Sequence, residues 1–425
     1  MTIGALLGKN LSMSETLALF GGKKTKTTPF GTGRRLGTRE LAEVTEAIQS
    51  DILFYVFGEK VKAMESSMRT MYGMRFCNGC SSGTAAVHIA LGALGLAPGR
   101  EVITSAITDM GTLTGVLYQL LVPRFADIDP RTYNMDPDSV ENLVNERTGA
   151  ILVVHHAGLA ADMDRLLAIS RAHNLPLIED CAQAHRTTYK GRLCGTMGDI
   201  SCFSLNHFKH ITSGSGGMVM TNREDLEEVV KLFVDKCYFR DGRKRNPYFL
   251  APNYQMTELQ GAVGIAQLEK VESIVTTRVE RGRRLARGLR KIPGLMPQEI
   301  PDHSPHTFFL YVVRIDPKIV HCSPKDFTDA LAAEGIPAEP NKITGGMPVY
   351  LYDIFQHQSA FPGSRMPFVS KELGTNAIYP KGLCPRAEEA FETTFNFNIT
   401  EFYTERDIDE MVAATAKVAA YYREK

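Results

Sequence analysis

An excess of charge of either sign is missing from this chain. Its 425 residues carry 48 lysines and arginines against 48 aspartates and glutamates, a formal net charge of zero at pH 7. Proteins that hold nucleic acid or anionic lipid through bulk charge are basic. No nucleic-acid or membrane partner is therefore expected, and an anionic ligand must be met by a local site. Long apolar runs are missing as well. The longest nearly apolar stretch, 149–161, is interrupted by His155 and His156 and falls short of the ~20 residues that span a bilayer. The N-terminal stretch MTIGALLGKNLSMSETLALFGGKK has no basic segment followed by an unbroken apolar core, so it does not read as a secretion signal. Eight cysteines in a chain this long do not make a disulfide lattice, which points to a reduced, cytoplasmic protein. Solenoid-period repeats and low-complexity segments are absent too. What remains, 44% hydrophobic and 23% charged residues, is the composition of a globular chain with room for two or three lobes.

The pattern that is present alternates short apolar runs with amphipathic stretches. Strands are predicted at 101–105, 123–129, 150–156, 175–180, 199–205 and 217–221, with helices at 82–94 and 163–173 among them. That alternation predicts an α/β fold with a mostly parallel central sheet covered on both faces. A helix is expected to begin at Thr38 as N-cap, with Leu41, Val44, Thr45 and Ile48 as its stripe. One long helix is predicted over 257–290, with Leu259, Val263, Ile265 and Leu268 facing inward. A strand at 306–315 and helices at 323–335 and 404–422 complete a smaller C-terminal α+β domain. The expected organisation is an N-terminal arm (1–37), a large domain (38–255), a linking helix (256–284) and a small domain (285–425).

Four local patterns carry chemistry. In CNGCSSGTAAVHIAL (77–91), Ser82, Gly83 and Thr84 open a helix whose first backbone N–H groups are free for an anion; an ordinary serine cap reads the same way. In LPLIEDCAQAHRTTYKG (175–191), Glu179 and Asp180 end a strand where open α/β sheets place their ligand crevice. A carboxylate there can pair with a cationic ring nitrogen, while His185 could be a satisfied core histidine. In DISCFSLNHFKHITSGSGGMVMT (199–221), Lys209 lies between two apolar strands. Desolvation would make it an amine nucleophile, although a lysine in a connecting loop is commonly a surface residue. Gly214, Gly216 and Gly217 precede a strand and do not open a helix, so they are not a dinucleotide loop. Finally, NYQMTELQGAVGIAQLEKV (253–271) starts a helix, with Thr257 as a possible cap.

Together and in this order, these segments resemble the DegT–StrS family of pyridoxal-phosphate (PLP) sugar and cyclitol aminotransferases. The lysine segment of that family runs Asp-x-x-x-Phe-Ser-Phe-x-x-x-Lys-x-x-Thr-x-Gly-Glu-Gly-Gly. The resemblance implies the aspartate-aminotransferase-like fold type I and PLP held at Lys209 as a Schiff base. It implies that Asp180 pairs with the ring nitrogen, Gln183 with the ring hydroxyl, and that Ala182 packs on one ring face. Gly83 and Thr84, beside Ser82 and with Ser204, would hold the phosphate. Asn253 would reach the phosphate of a partner subunit, so a homodimer with shared sites is implied. The expected reaction moves an amino group from glutamate or glutamine to a keto-sugar or keto-cyclitol. A sugar dehydratase or epimerase on the same fold, or a non-catalytic homologue, is the alternative.

Three positions depart from the family. Asp109 or Met110 stands where a stacking aromatic is usual, Ser215 replaces an acidic residue, and Gln255 replaces an arginine. Either Asp109 contacts the substrate or moves a proton, or it caps a helix while Met110 covers the ring. Cys77-x-x-Cys80 has redox or half-zinc spacing without a second pair and is not expected to bind metal. The basic loop 240–245 reads as a solvated run or an anion-recognition element. GTGRRLG (31–37) follows no strand and is assigned no function, and His155 and His156 are expected to pack in the core.

Overall fold

The computed structural model describes residues 16–340 and 345–424. Residues 1–15 of the expected arm, including most of the stretch weighed as a secretion signal, lie outside the described residues. Seven strands make one sheet: β1 (Phe76–Cys80), β2 (Glu101–Ser105), β3 (Val122–Ala126), β4 (Thr148–Val154), β5 (Leu177–Asp180), β6 (Ile200–Ser204) and β7 (Gly217–Thr221), in the order β1-β7-β6-β5-β4-β2-β3. Strands β6, β5, β4, β2 and β3 run parallel, and β7 is antiparallel to both of its neighbours. Strand side chains alternate between the two faces. On β4, Ile151 and Val153 join Met64, Met68 and Leu166 in one core, and Leu152 and Val154 join Ile89, Val230 and Phe233 in the other. Helices therefore cover both faces, as a buried parallel sheet requires. β1 was not predicted. Its Asn78 and Gly79 are poor strand formers, yet the strand pairs with β7 along its whole length.

The helices relevant to the site are α1 (Thr38–Gln49), α2 (Lys60–Tyr72), α3 (Gly83–Ala93), α4 (Met110–Tyr118), α5 (Met163–Ala172), α6 (Glu224–Val234), α7 (Glu258–Leu268), α8 (Val271–Leu289), α9 (Pro324–Ala333) and α10 (Glu405–Arg423). Three expectations are corrected. Gly37, not Thr38, caps α1, its N–H held by the Glu40 carboxylate at 2.8 Å. The apolar stripe of α1 faces outward: Leu41 is 67% and Ile48 59% exposed, while Glu40, Glu43 and Ala47 are buried. The long helix is two, α7 and α8, parted at Glu269–Lys270. Thr257 does cap α7. Leu259, however, is exposed; Leu268 is buried as expected, and beside Glu258 and Gln267 the buried face of α7 carries the small residues Gly261, Ala262, Gly264 and Ala266. A Cβ on Gly261 would meet the backbone of Val61 at 2.7 Å, and one on Gly264 the Met64 sulfur at 2.3 Å. Glycine there lets α7 lie close against α2.

The second sheet contains β8 (Leu295–Pro297), β9 (Leu310–Ile315), β10 (Glu339–Pro340) and β11 (Thr394–Asn398), all antiparallel, in the order β8-β9-β11-β10. The strand expected to begin at residue 306 starts at Leu310, because Thr307 donates its N–H to the Gly158 carbonyl instead. Helices α8, α9 and α10 close this core through Leu285, Phe327 and Met411. The early segment is strapped to it. Leu17 enters the same core, and the Lys26 ammonium lies 2.6 Å from both Asp407 and Glu410. Among the described residues, no helix is long and apolar enough to cross a membrane.

Breaking one side of a buried ion pair leaves an uncompensated charge. Lys26→Ala is expected to lower unfolding stability by about 3 kcal/mol, read from urea denaturation. Burial alone would raise the Asp407 carboxyl, but Lys26 and the Gly31 and Thr404 donors bring it down to about 2. Its contribution is thus complete above the ordinary aspartate range and fades as pH falls toward about 2. The gap between native and variant should narrow over that interval and not at neutral pH.

Candidate functional site

A cavity of about 880 Å³ opens at the carboxyl ends of the parallel strands. It is lined by Ser82, Gly83 and Thr84 from the start of α3, Asp180, Ala182 and Gln183 after β5, and Ser204 and Lys209 after β6. The structure therefore brings together every singled-out residue except Asn253, together with Asp109. Asn253 is exposed, bridges to Asp235 through its backbone, and lies outside this cavity.

Local chemistry fixes each part. Ser82 caps α3, its hydroxyl accepting the Ala85 N–H at 3.0 Å. The turn is tight: a Cβ on Gly83 would strike the Ser204 side chain at 2.6 Å, and one on Gly217 the Ser82 carbonyl at 2.2 Å. Asp180, 5% exposed, accepts the Ala182 N–H at 3.0 Å and the Thr112 hydroxyl at 2.8 Å. It has no ion-pair partner among the described residues. Burial raises its carboxyl above the usual range, and these two donors and the Lys209 charge oppose that. Burial lowers the Lys209 ammonium, against the pull of Asp180 and Asp109. Its Nζ sits 4.6 Å from the centre of the Phe309 ring.

Neighbouring residues act as supports. The Gln183 amide oxygen accepts the Ala157 N–H at 2.8 Å, and its nitrogen has no partner among the described residues. His185 is the satisfied core histidine: its Nε2 meets the Ser204 carbonyl at 2.9 Å, and burial brings it down to about 4. His155 and His156 are both buried; His155 pairs with Glu179 at 3.0 Å. Cys77 and Cys80 belong to different cores on opposite faces of the sheet, so they cannot share a metal or form a bridge. In the basic loop, Arg240 pairs with Asp235 and Arg243 with Asp241.

Asp109 is a helix cap on the cavity wall. It caps α4, accepting the Gly111 N–H at 2.7 Å, and it also faces the cavity beside Lys209. Met110 does not cover that wall; it packs into a separate core with Ile107 and Leu113. The sequence reading missed Arg35, Thr112, Arg278 and Phe309, and the polar floor of Asn396, Asn398 and Thr400 supplied by the C-terminal lobe. The floor left a trace in the sequence, since Phe395-Asn-Phe-Asn398 alternates with the period of a strand. The other four left none.

Comparison with known proteins agrees with this geometry. A model of the DegT/DnrJ/EryC1/StrS aminotransferase family matches residues 34–371. The chain is 30% identical over 392 residues to the spore coat polysaccharide biosynthesis protein SpsC of Bacillus subtilis, covering 90% of this chain and 95% of that one. It is 35% identical over 338 residues to a putative L-glutamine:3-amino-2,3-dideoxy-scyllo-inosose aminotransferase of Streptoalloteichus tenebrarius, covering 77% of this chain and 80% of that one. Among solved structures, the aminotransferase from Psychrobacter cryohalolentis superimposes with a TM-score of 0.82 at 26% identity, covering 93% of this chain and all of that one.

Asparagine caps a helix as well as aspartate does, whereas alanine costs about 1 kcal/mol. Asp109→Asn should therefore keep stability while lowering the Lys209 ammonium further, because one of the two carboxylates that raise it has lost its charge. The pH dependence of Lys209 labelling by an amine reagent in cofactor-free protein measures this. An unchanged profile would place the Asp109 charge out of reach of the amine.

Proposed function

This chain belongs to the DegT/DnrJ/EryC1/StrS aminotransferase family, and on that premise we propose that it transfers an amino group from glutamate or glutamine to a keto-sugar or keto-cyclitol, using PLP held at Lys209. The observation that carries the reading is a half-buried lysine amine facing, in one cavity, a buried carboxylate that has no cation of its own. A pyridinium nitrogen is the partner Asp180 lacks. The N-terminal turn of α3, where only glycine fits against Ser204, suits a phosphate.

When bound, PLP supplies an electron-accepting ring and a carbonyl carbon that exchanges amines. The remaining roles belong to the chain. Asp180, whose carboxylate accepts from Ala182 and Thr112, would keep the proton on the ring nitrogen. Ser82, Gly83, Thr84 and Ser204 would hold the phosphate; the amide nitrogen of Gln183 would serve the ring hydroxyl, and Ala182 would close one face. Lys209 Nζ would hold the carbonyl carbon of the cofactor and, as a free amine, would move the proton at the substrate carbon. Its lowered pKa leaves more of the amine unprotonated near neutral pH, as a base requires. The asparagine and threonine floor suits a polyhydroxylated acceptor, each hydroxyl being both donor and acceptor.

Purified enzyme given L-glutamate or L-glutamine without acceptor should release 2-oxo acid in proportion to subunits. Lys209→Ala should reduce the rate by roughly 10²–10⁴ or more. No 2-oxo acid from either donor would favour the dehydratase or epimerase reading, for which Asp109 supplies a second acid-base group at the cavity wall.

The same reading makes the protein a homodimer with shared sites. Two observations support it: Asn253 lies outside its own chain's cavity, and Leu41, Ile48, Leu53 and Phe57 present exposed apolar surface on and just after α1. Mixing inactive Lys209→Ala and Asn253→Ala subunits should restore part of the activity, because one site of each mixed dimer is intact. Failure to restore any after demonstrated subunit exchange would overturn the shared site.

A further inference from the structure

The stretch assigned no function in the sequence, 31–37, carries the side chain most intimately joined to the lysine loop. Arg35 donates through Nη1 to the His207 carbonyl at 2.6 Å, and through Nη2 to the His210 carbonyl at 2.6 Å and to that of Lys209 itself. Its Nε lies 3.5 Å from Glu401 Oε1, an ion pair longer than a hydrogen bond. Glu401 is in turn gripped by Arg278 at 2.8 and 2.9 Å. The Arg35 carbonyl accepts from Gln267 at 2.8 Å, and the same Gln267 receives the Thr212 N–H at 3.3 Å. One arginine thus ties the lysine loop to the early strap, the C-terminal lobe and α7.

We propose that Arg35 is a positioning residue for Lys209: by neutralising three carbonyls of the loop 207–210, it sets where the amine stands in the cavity and makes that placement depend on the docked strap and the C-terminal lobe. This rests on the reading of Lys209 as the reactive amine. Arg35 also lines the cavity, which raises the question of whether it receives a substrate anion. Its donors argue otherwise, since three of the five N–H groups of a guanidinium are spent on the loop carbonyls, and of the two that remain the Nε–H is buried beside Glu401. A planar guanidinium suits several converging acceptors where an ammonium serves as a point charge. Tertiary contacts of this kind, and not intrinsic propensity, must hold the loop, because 205–216 contains no helix or strand.

The test uses cofactor-free protein, so it stands apart from any activity. Within the loop, the Lys209, Thr212 and Ser213 amides are hydrogen-bonded, to Asn206, Gln267 and Leu205, and report its opening by hydrogen exchange. In Arg35→Ala these amides should exchange about tenfold faster or more, with amides of α3 and β7 unchanged. The groups facing the amine are Asp180, Asp109, His185 and His210. With these intact, the pH profile of Lys209 acetylation should move upward toward an ordinary lysine as water reaches Nζ. Arg35→Lys should lie between native and alanine on both measures. Should Arg35→Ala not fold, Glu401→Gln, which loosens the guanidinium while leaving its carbonyl contacts, should show the same two changes more weakly. Unchanged loop exchange and an unchanged profile in the folded variant would overturn the proposal. So would faster exchange spread evenly over the chain, which marks a merely structural arginine. Normal exchange control by Arg35 in a protein whose Lys209→Ala variant still transaminates would instead retire the reading of Lys209 and leave the loop clamp standing.

Discussion

Two adjacent carboxylates at the end of β5 must both be buried, and the strand's period turns them in opposite directions. Glu179 points away from the cavity and is satisfied by the protein itself. It accepts N–H groups from Gly195, Met197 and Gly198 at 2.6–2.7 Å and pairs with His155. Burial alone would raise it, and these partners bring it below the usual glutamate range. Asp180 points into the cavity with, among the described residues, two donors and no cation. An unpaired buried charge is costly, so the site is built to receive something that completes it. One strand end thus holds an internal anchor and a binding group side by side. The anchor fixes the 195–198 turn ahead of β6, and β6 leads into Ser204 and the lysine loop.

The electrostatics of the cavity follow from that arrangement. Lys209 and Asp180 lie close enough to raise and lower one another, yet no hydrogen bond joins them, and both remain partly uncompensated. Both arginines of the wall, Arg35 and Arg278, are committed to Glu401 or to carbonyls. Among the described residues of the cavity wall, the carboxylate, lysine and arginine side chains without an ion-pair partner are therefore Asp109, Asp180, Glu339 and Lys209. Asp109 adds a carboxylate to this wall while capping α4 through one oxygen.

Most of the sheet was legible because apolar runs bounded by turns report burial directly. The residues after β5 and β6 were legible because local motifs carry them. What escaped depended on contacts distant in sequence. β1 is a strand because β7 pairs with it, not because Cys-Asn-Gly-Cys favours one. On α1, periodicity revealed an amphipathic helix but not which side would be covered, and the isolated chain leaves Leu41 and Ile48 in solvent. For α7, spacing could not reveal that glycine and alanine, not leucine and valine, make the closest approach. Arg35 was invisible since its partners are carbonyls, which every residue has.

The strap also has a consequence for biosynthesis. Lys26 and Asp407 are separated by 381 positions, so the strap leaves a ribosome well before α10 and has to wait for it before it can dock. At synthesis rates of about 5–20 residues per second, the delay is roughly 20–80 s. The parallel sheet can assemble within that interval, while Arg35 lacks its docked strap and its Glu401 partner. In a nascent chain the contacts of Arg35 with Glu401 and the docked strap therefore form only after all seven strands of the central sheet have emerged.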